Sequence, residues 1–293
     1  MHTLEQTSEK MKTLKQKARK IKLLATDLDG TLLNSKHMLS DENRSALSAV
    51  AQKGITLVTA TGRSRKSIPD TLNDIDGLKY LITCNGARIH LHSTDEVIYE
   101  KYITREAIDY VSHFFNDEEV MCVYFWDGAA YVSEKQYVAA RDYGIPRWYS
   151  DYFFFSRNPV KDFKAAILEN IDKIENINFC YGKESVQNRV LAFLEARTDL
   201  YELTSSFPFN YEINGVGVTK SASVDFIAKL EGILPEETIC FGDNDNDASM
   251  IEYAGIGVAT ANATPLVISA ADFVSTSNED SGVAAALKTL GMI

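Results

Sequence analysis

Residues 23–33, LLATDLDGTLL, end an apolar run with two carboxylates, Asp27 and Asp29, one residue apart, and then Gly30 and Thr31. A close pair of like charges is unfavourable, and one member shifts its pKa unless a cation sits between them. The pair is therefore either a solvated turn or part of a metal-dependent site. Other segments place reactive groups just past apolar runs in the same way. TATGR (59–63) offers Thr59, Thr61, Gly62 and Arg63, YLITC (80–84) is followed by Asn85 and Gly86, and GDNDND (242–247) supplies Asp243, Asp245, Asn246 and Asp247. Lys220 opens the helical stretch that feeds the last of these. Several carboxylates suit a hard cation such as Mg²⁺, which takes oxygen ligands and completes its shell with water or substrate phosphate. A threonine hydroxyl, free amides at a glycine turn and a lysine suit the phosphate itself. With both present, a carboxylate can act as nucleophile through an aspartyl-phosphate. A second carboxylate two residues on, facing the same side of an extended path, can protonate the leaving oxygen and later activate water.

The elements that must position these groups follow from hydrophobic patterning. IKLLATD reads as a buried strand. Residues 40–53 read as a helix, with Ser40 as N-cap, Asp41 and Glu42 in its first turn and Gly54 as its stop. ITLVTA (55–60) and YLITC (80–84) are further apolar strands, with a helical stretch near 64–73 between them. After Lys220 the rhythm returns: a helix over 220–230, strands at 238–243, 255–260 and 271–275, and helices near 246–253 and 281–289. Strands alternating with helices at this spacing predict βαβ units and a parallel sheet. In such a sheet ligands bind beyond the carboxyl ends of the strands, where the reactive segments lie. The middle of the chain differs. VMCVYFWDGAAYVS (120–133) reads as a hairpin turning at Asp127-Gly128, and longer helical stretches lie near 104–117, 134–143 and 184–197. The expected fold is α/β: a doubly wound, Rossmann-like parallel sheet with an inserted α+β cap domain. The core is expected from 21–91 and 215–293, the cap from 92–214, and a basic extension from 1–20.

Composition narrows the function classes. The chain has 293 residues, 45% of them hydrophobic, enough for a sizeable core. Its net charge of −11 and pI near 5.0 argue against a general nucleic-acid binder. No apolar run is long enough to span a membrane. Cys84, Cys122, Cys180 and Cys240 are far apart in apolar runs, without metal spacing, which implies reduced buried thiols and a cytoplasmic location. Residues 1–22 carry seven Lys or Arg against Glu5 and Glu9, the pattern of a solvated or frayed helix. His90 and His92 alternate along a strand but lack an evident third metal ligand. A calcium loop at GDNDND is disfavoured because its twelfth position is Ala254. The aromatic run in DYFFFSRNP (151–159) reads as cap core, with a substrate-facing patch as the alternative.

In order and context, DLDGTLL, TATGR, GVTK and GDNDNDASMI resemble the four motifs of the haloacid dehalogenase superfamily. NGARI and the tail NEDSGVAAAL resemble its Cof-type phosphatases, subclass IIB. The resemblance implies Mg²⁺-dependent hydrolysis of small phosphate esters, often sugar phosphates or phosphorylated cofactors, beneath an inserted cap. It assigns Asp27 as nucleophile and metal ligand. Asp29 becomes the general acid/base, with its main-chain carbonyl on the metal. Thr61 and Gly62 bind phosphate, as do Leu28 and Asn246; Lys220 neutralises it. Asp243 supplies the remaining metal carboxylate, and Asp247 supports these ligands from behind. The sequence departs from the family pattern at Ser221, where Gly is usual, and at VATANA, where VAMGNA is common. The implied partner is a small phosphorylated metabolite, with no nucleic acid or membrane, and the protein is a monomer or homodimer.

Three other classes share parts of this set. A phosphosugar mutase would pass the phosphoryl group to a second sugar hydroxyl. A phospho-acceptor signalling domain would also cluster Asp, Thr and Lys around Mg²⁺, without needing a cap. A non-catalytic binding protein on this fold would be expected to lack one of the carboxylates, and none is missing.

Overall fold

A computed structural model of the chain describes residues 4–293. Its strands fall in three groups along the chain. The first five are β1 (Leu23–Thr26), β2 (Thr56–Ala60), β3 (Leu78–Thr83), β4 (Arg88–Leu91) and β5 (Val97–Glu100). The next six are β6 (Val120–Trp126), β7 (Ala129–Ser133), β8 (Arg157–Val160), β9 (Asn176–Tyr181), β10 (Tyr201–Thr204) and β11 (Asn210–Gly215). The last three are β12 (Thr238–Gly242), β13 (Ile256–Ala259) and β14 (Phe273–Val274).

The outer two groups build one eight-stranded sheet in the order β14-β13-β12-β1-β2-β3-β4-β5. Pairing is parallel from β14 to β3 and antiparallel from β3 to β5. This is the expected doubly wound α/β sheet, with β1 at its centre where the strand order reverses. Every residue of β1 is buried, as a strand covered on both faces requires. Alternate residues go to opposite faces. Leu24, Leu57, Leu81 and Phe241 pack on one side with Leu47 and Val50 of the helix Asp41–Gln52 and with Val283 and Leu287 of the helix Gly282–Leu290. Leu23, Ala25, Val58 and Ile82 pack on the other with Val224 and Ile227 of the helix Lys220–Leu230.

The middle group forms a six-stranded sheet, β10-β11-β9-β6-β7-β8, antiparallel except for β7 with β8. One face, including Tyr124, Ile177 and Phe179, is covered by helices through Val111, Ile167, Val190 and Leu194. The other face, including Met121, Val123 and Phe125, packs on Tyr143, Tyr149 and Phe153 and reaches Cys84 and Ala87 at the end of β3. That second contact seats one sheet over the carboxyl edge of the other.

Several sequence expectations need correction. The first sheet continues through β5 to Glu100, past the boundary expected near 91, because β4 and β5 turn back as an antiparallel edge. The basic N-terminal segment, described from Leu4, exposes its lysines as expected but is docked on the core along one edge. The helix Leu4–Ala18 docks by Leu14 and Ala18, with Met11 partly buried beside them, while Lys17 Nζ reaches Gly255 O at 3.1 Å. Residues 64–73 form two short 3₁₀ turns, Arg65–Ser67 and Asp70–Asp74, because Pro69 between them cannot continue a helix. All four cysteines are free and buried. No helix among the described residues is long and apolar enough to cross a membrane.

Candidate active site

Asp27 follows β1 directly, its backbone N–H donating to Phe241 O at 3.0 Å, so its position is fixed by the two central strands. Gly30 then turns with φ +83°, and a Cβ there would lie 2.2 Å from Asp243 Oδ2. Only glycine permits this approach between the β1 and β12 loops. Thr31 Oγ1 donates to Asp243 Oδ1 at 2.7 Å and ties the loops together. A Cβ on Gly242 would collide with Asp247 at 2.4 Å, which keeps that carboxylate close under the strand end.

Carboxylate oxygens of Asp27, Asp243 and Asp247, all three residues buried, lie within 4.8 Å of one another. Asp29 contributes no side chain to this cluster. Asp247 Oδ2 accepts from the backbone N–H groups of Asp243 (2.9 Å) and Asn244 (3.1 Å). Its Oδ1 accepts from Lys220 Nζ at 2.5 Å, and the same ammonium donates to Asp27 Oδ1 at 2.6 Å. Burial pushes the Asp27 carboxyl up and Lys220 pulls it back, but Asp247 and Asp29 add to the rise, leaving it at about 7. Asp243 is raised well above the carboxylate range by burial and by Asp27 and Asp247. Burial favours neutral Lys220, yet Asp247 and Asp27 outweigh it and hold the ammonium charged. The cluster thus holds three buried carboxylates against a single lysine. Three hard oxygen donors in that state fit a divalent cation.

Lys220 sits at the first position of its helix, where a cation opposes the helix dipole. Thr219 caps that helix by accepting from Ala222 N at 3.1 Å, and Ser221 Oγ lies 2.9 Å from the Thr219 hydroxyl. A locally unfavourable lysine held by two carboxylates marks a functional position rather than a helix-forming choice.

Asp29 faces away from the cluster into a chamber between the two sheets. Arg63 grips it with a fork, Nε to Oδ2 and Nη2 to Oδ1, both at 2.6 Å, and His37 Nδ1 lies 3.0 Å from Oδ1. Burial raises the Asp29 carboxyl, but the Arg63 guanidinium, with hydrogen bonds from Arg63 and His37, outweighs that and holds it well below the usual carboxylate range. Thr61 and Gly62 line the same chamber beside Asp27, Asp29 and Asn246. Thr61 Oγ1 accepts from Arg63 N at 3.1 Å. The Leu28 side chain is wholly buried in the core, so only its backbone can meet a phosphate. Asn246 Nδ2 donates to Asn85 Oδ1 at 3.0 Å, while Asn246 Oδ1 is buried without a partner. Asp245, by contrast, accepts from Thr264 at 2.7 Å and stays outside the cluster. His90 is buried with Nε2 3.4 Å from Thr83 Oγ1 and Nδ1 3.4 Å from Asp95 Oδ1, and among the described residues neither His90 nor His92 belongs to a group of three metal-ligating side chains.

The roof of the chamber comes from the second sheet and the helix Arg147–Ser156: Phe125, Tyr149, Tyr152, Arg157, Asn178 and Glu212 line it, of which the sequence offered only the run 151–159, as the alternative to cap core. In the aromatic run, Tyr152 faces the chamber, Phe153 is core, and Phe155 is exposed. Tyr152 stacks against Arg63, 4.4 Å from its ring centroid, and its hydroxyl donates to Ser67 Oγ at 3.3 Å. Asn85 is a second residue without an assigned role. It takes a left-handed conformation (φ 56°) and donates to Glu212 Oε2 at 2.7 Å, joining the floor to the roof. Positive φ at both Cys84 and Asn85 is a strained geometry of the kind found at functional sites. The sequence marks Arg63 and Asn85 only by their places at strand ends.

Three buried carboxylates with a lysine, at the switch point of a doubly wound sheet and under a roof from the second sheet, fit the class of proteins that handle phosphate groups beside a cation. The chain belongs to the haloacid dehalogenase-like hydrolases, whose family profile matches residues 24–287. It is 34% identical to the putative phosphatase YxeH of Bacillus subtilis (strain 168), covering 92% of this chain and 98% of that one. It is 30% identical to 5-amino-6-(5-phospho-D-ribitylamino)uracil phosphatase YcsE of the same organism, covering 92% and 95%. Among solved structures, the subclass IIB sugar phosphatase BT4131 superposes with a TM-score of 0.78 at 28% identity, covering 93% of this chain and all of that one. The chain is a phosphatase of this family.

Proposed function

We propose that the protein hydrolyses a small phosphorylated metabolite by a double displacement on Asp27, with Mg²⁺ as the metal. The observation that carries this reading is Asp27 itself, at the end of the central strand, bonded to Lys220 and grouped with Asp243 and Asp247. Asp27 Oδ attacks phosphorus as the bond to the ester oxygen breaks; Asp29, once released from the Arg63 fork that holds it ionised here, carries a proton to that oxygen, and water then opens the aspartyl-phosphate after giving a proton to Asp29. Thr61, Gly62, Asn246 and the Leu28 backbone are the phosphate contacts in this reading, and Lys220 offsets the charge on the transferring group. Asp27, Asp243 and the Asp29 main-chain carbonyl would hold Mg²⁺, with Asp247 orienting them. Bound there, the cation supplies charge neutralisation to nucleophile and phosphoryl oxygens alike.

The second sheet, with its helices, acts as the cap that receives the leaving group. The chamber between the two layers offers about 50 Å³, room for a few waters. Closure of the cap over a bound ester would exclude water from the phosphoryl group. Reduced buried cysteines and an acidic surface support a cytoplasmic site of action. A panel of phosphate esters assayed for Mg²⁺-dependent release of free phosphate tests the reading. Transfer to a second sugar hydroxyl would identify a mutase instead, and a long-lived phosphoprotein after acetyl phosphate would identify a phospho-acceptor.

A further inference from the structure

The chamber is lined by two arginines, and only one has a counter-ion. Arg63 is paired with Asp29. Arg157, at the start of β8 in the roof, donates through Nη1 to Ser156 Oγ at 2.6 Å, and its Nη2 lies 3.5 Å from the Tyr149 hydroxyl. Its Nε is buried and makes no hydrogen bond. Its guanidinium is sandwiched among aromatic rings, with centroids of Tyr152, Phe153 and Phe125 at 5.4, 5.6 and 5.7 Å. The carboxylate on the same wall, Glu212, is taken up by neutral donors: Asn85 Nδ2 at 2.7 Å, Asn210 Nδ2 at 2.8 Å and the Ser206 hydroxyl. None of the carboxylates among the described residues accepts from Arg157. Arg157 is half-buried as a residue, but a guanidinium held among rings with an inaccessible Nε and no counter-ion is costly, and a protein keeps one where a ligand completes it.

We infer that Arg157 is a subsite for a second anionic group on the leaving group, a carboxylate or a second phosphate. The inference rests on the phosphatase reading above and adds to it the chemical class of ester accepted. An open Nε beside Nη2, which reaches only a hydroxyl at 3.5 Å, presents the two-donor edge that a carboxylate or phosphate takes bidentately. The surrounding rings lower the local dielectric and strengthen that contact. The net charge of −11 opposes a second negative charge on the substrate, so any preference for one must arise locally.

The test compares matched esters that differ by the anion: 3-phosphoglycerate against glycerol 3-phosphate for a carboxylate, and fructose 1,6-bisphosphate against fructose 1-phosphate for a second phosphate. The protein is expected to favour the anionic member of at least one pair by about 10- to 100-fold in kcat/KM, the span of one charge-assisted hydrogen bond. The favoured pair identifies the anion. Arg157→Met should collapse that ratio to within about threefold, while Arg157→Lys, which keeps the charge without the fork, should retain part of it. Thermal melts of both variants separate this from misfolding, and Arg157→Lys keeps the test decisive if Arg157→Met does not fold. Equal kcat/KM within both pairs would overturn the inference and leave the phosphatase reading standing. So would an unchanged ratio in a folded Arg157→Met. Release of phosphate from no ester at all would instead overturn the phosphatase reading.

Discussion

Replacing Lys220 by Met tests the charge balance of the site without changing its shape much. Lys220 is 1% exposed, and its ammonium is the donor to both Asp27 and Asp247. Removing one partner of a buried ion pair costs about 3–5 kcal/mol, because the other charge is left uncompensated. Here two carboxylates lose their counter-ion beside a third, Asp243. At roughly 2–4 °C per kcal/mol for a chain of this class, the melting temperature in EDTA at pH 8 should fall by about 10 °C. The sign of the pH dependence follows from Asp27. Its folded pKa, about 7, already exceeds the unfolded value, so the stability it contributes is present below the unfolded pKa and is lost as pH rises through the folded one. Without the ammonium that loss deepens, so the deficit of the variant should be small at pH 5 and grow toward pH 8. Mg²⁺, neutralising the same carboxylates, should raise the variant's melting temperature more than the parent's. Turnover should fall about 10²- to 10³-fold, the loss expected when a preorganised charge on the transition state is removed. Thermal melts at pH 5 and 8, with EDTA or Mg²⁺, and phosphate-release assays supply the readouts. A deficit under about 1 kcal/mol, far below the cost of breaking a buried pair, or one equal at both pH values, would refute the reasoning.

Other outcomes follow from the same geometry. Arg63→Met should free Asp29 and let its carboxyl rise toward the ordinary range, so that a carboxyl-labelled NMR titration shows Asp29 protonating at a higher pH than in the parent; an unmoved titration would show that the fork does not set the protonation of Asp29. EDTA should abolish phosphate release and Mg²⁺ restore it, whereas Ca²⁺, with its larger and looser shell, should inhibit; full activity after dialysis against EDTA would contradict a metal requirement. Tyr152→Ala should reorder preference among esters in kcat/KM while affecting p-nitrophenyl phosphate much less, since that ester offers the roof little to hold. A uniform loss across esters at unchanged stability would mean that the roof supplies catalytic groups.

The floor of the site was legible because each of its groups lies next to a strand end, and apolar runs locate strand ends. Asp27, Thr61 and Asp243 could be placed on one sheet edge without coordinates, and Lys220 was marked only by opening the helix that feeds β12. The carboxylate set itself was not. Asp29 looked like the partner of Asp27 by spacing, yet it turns to Arg63, and Asp247 takes its place in the cluster. Which way a side chain turns after a strand depends on the loop opposite, here the close approach at Gly30, and no local pattern encodes it. The roof was illegible for a related reason. Arg157, Asn178 and Glu212 come from three different strands of the second sheet and meet only because that sheet packs over the first. The N-terminal helix misled by composition: its lysines dominate the pattern, while Met11, Leu14 and Ala18, at i, i+3 and i+7, form a stripe narrow enough to overlook.

Rapid-quench turnover followed by peptide mapping tests the central claim most directly. Substrate mixed with enzyme and Mg²⁺, then quenched in acid within milliseconds, should yield a phosphate on the peptide containing Asp27. The label should be lost on hydroxylamine treatment, as an acyl phosphate is. Asp29→Asn, lacking the base that activates water, should accumulate it. Asp27→Asn should carry no label and release no phosphate while melting as a folded protein. Phosphate released by a folded Asp27→Asn near the parent rate, with no labelled peptide at any quench time, would contradict the covalent mechanism.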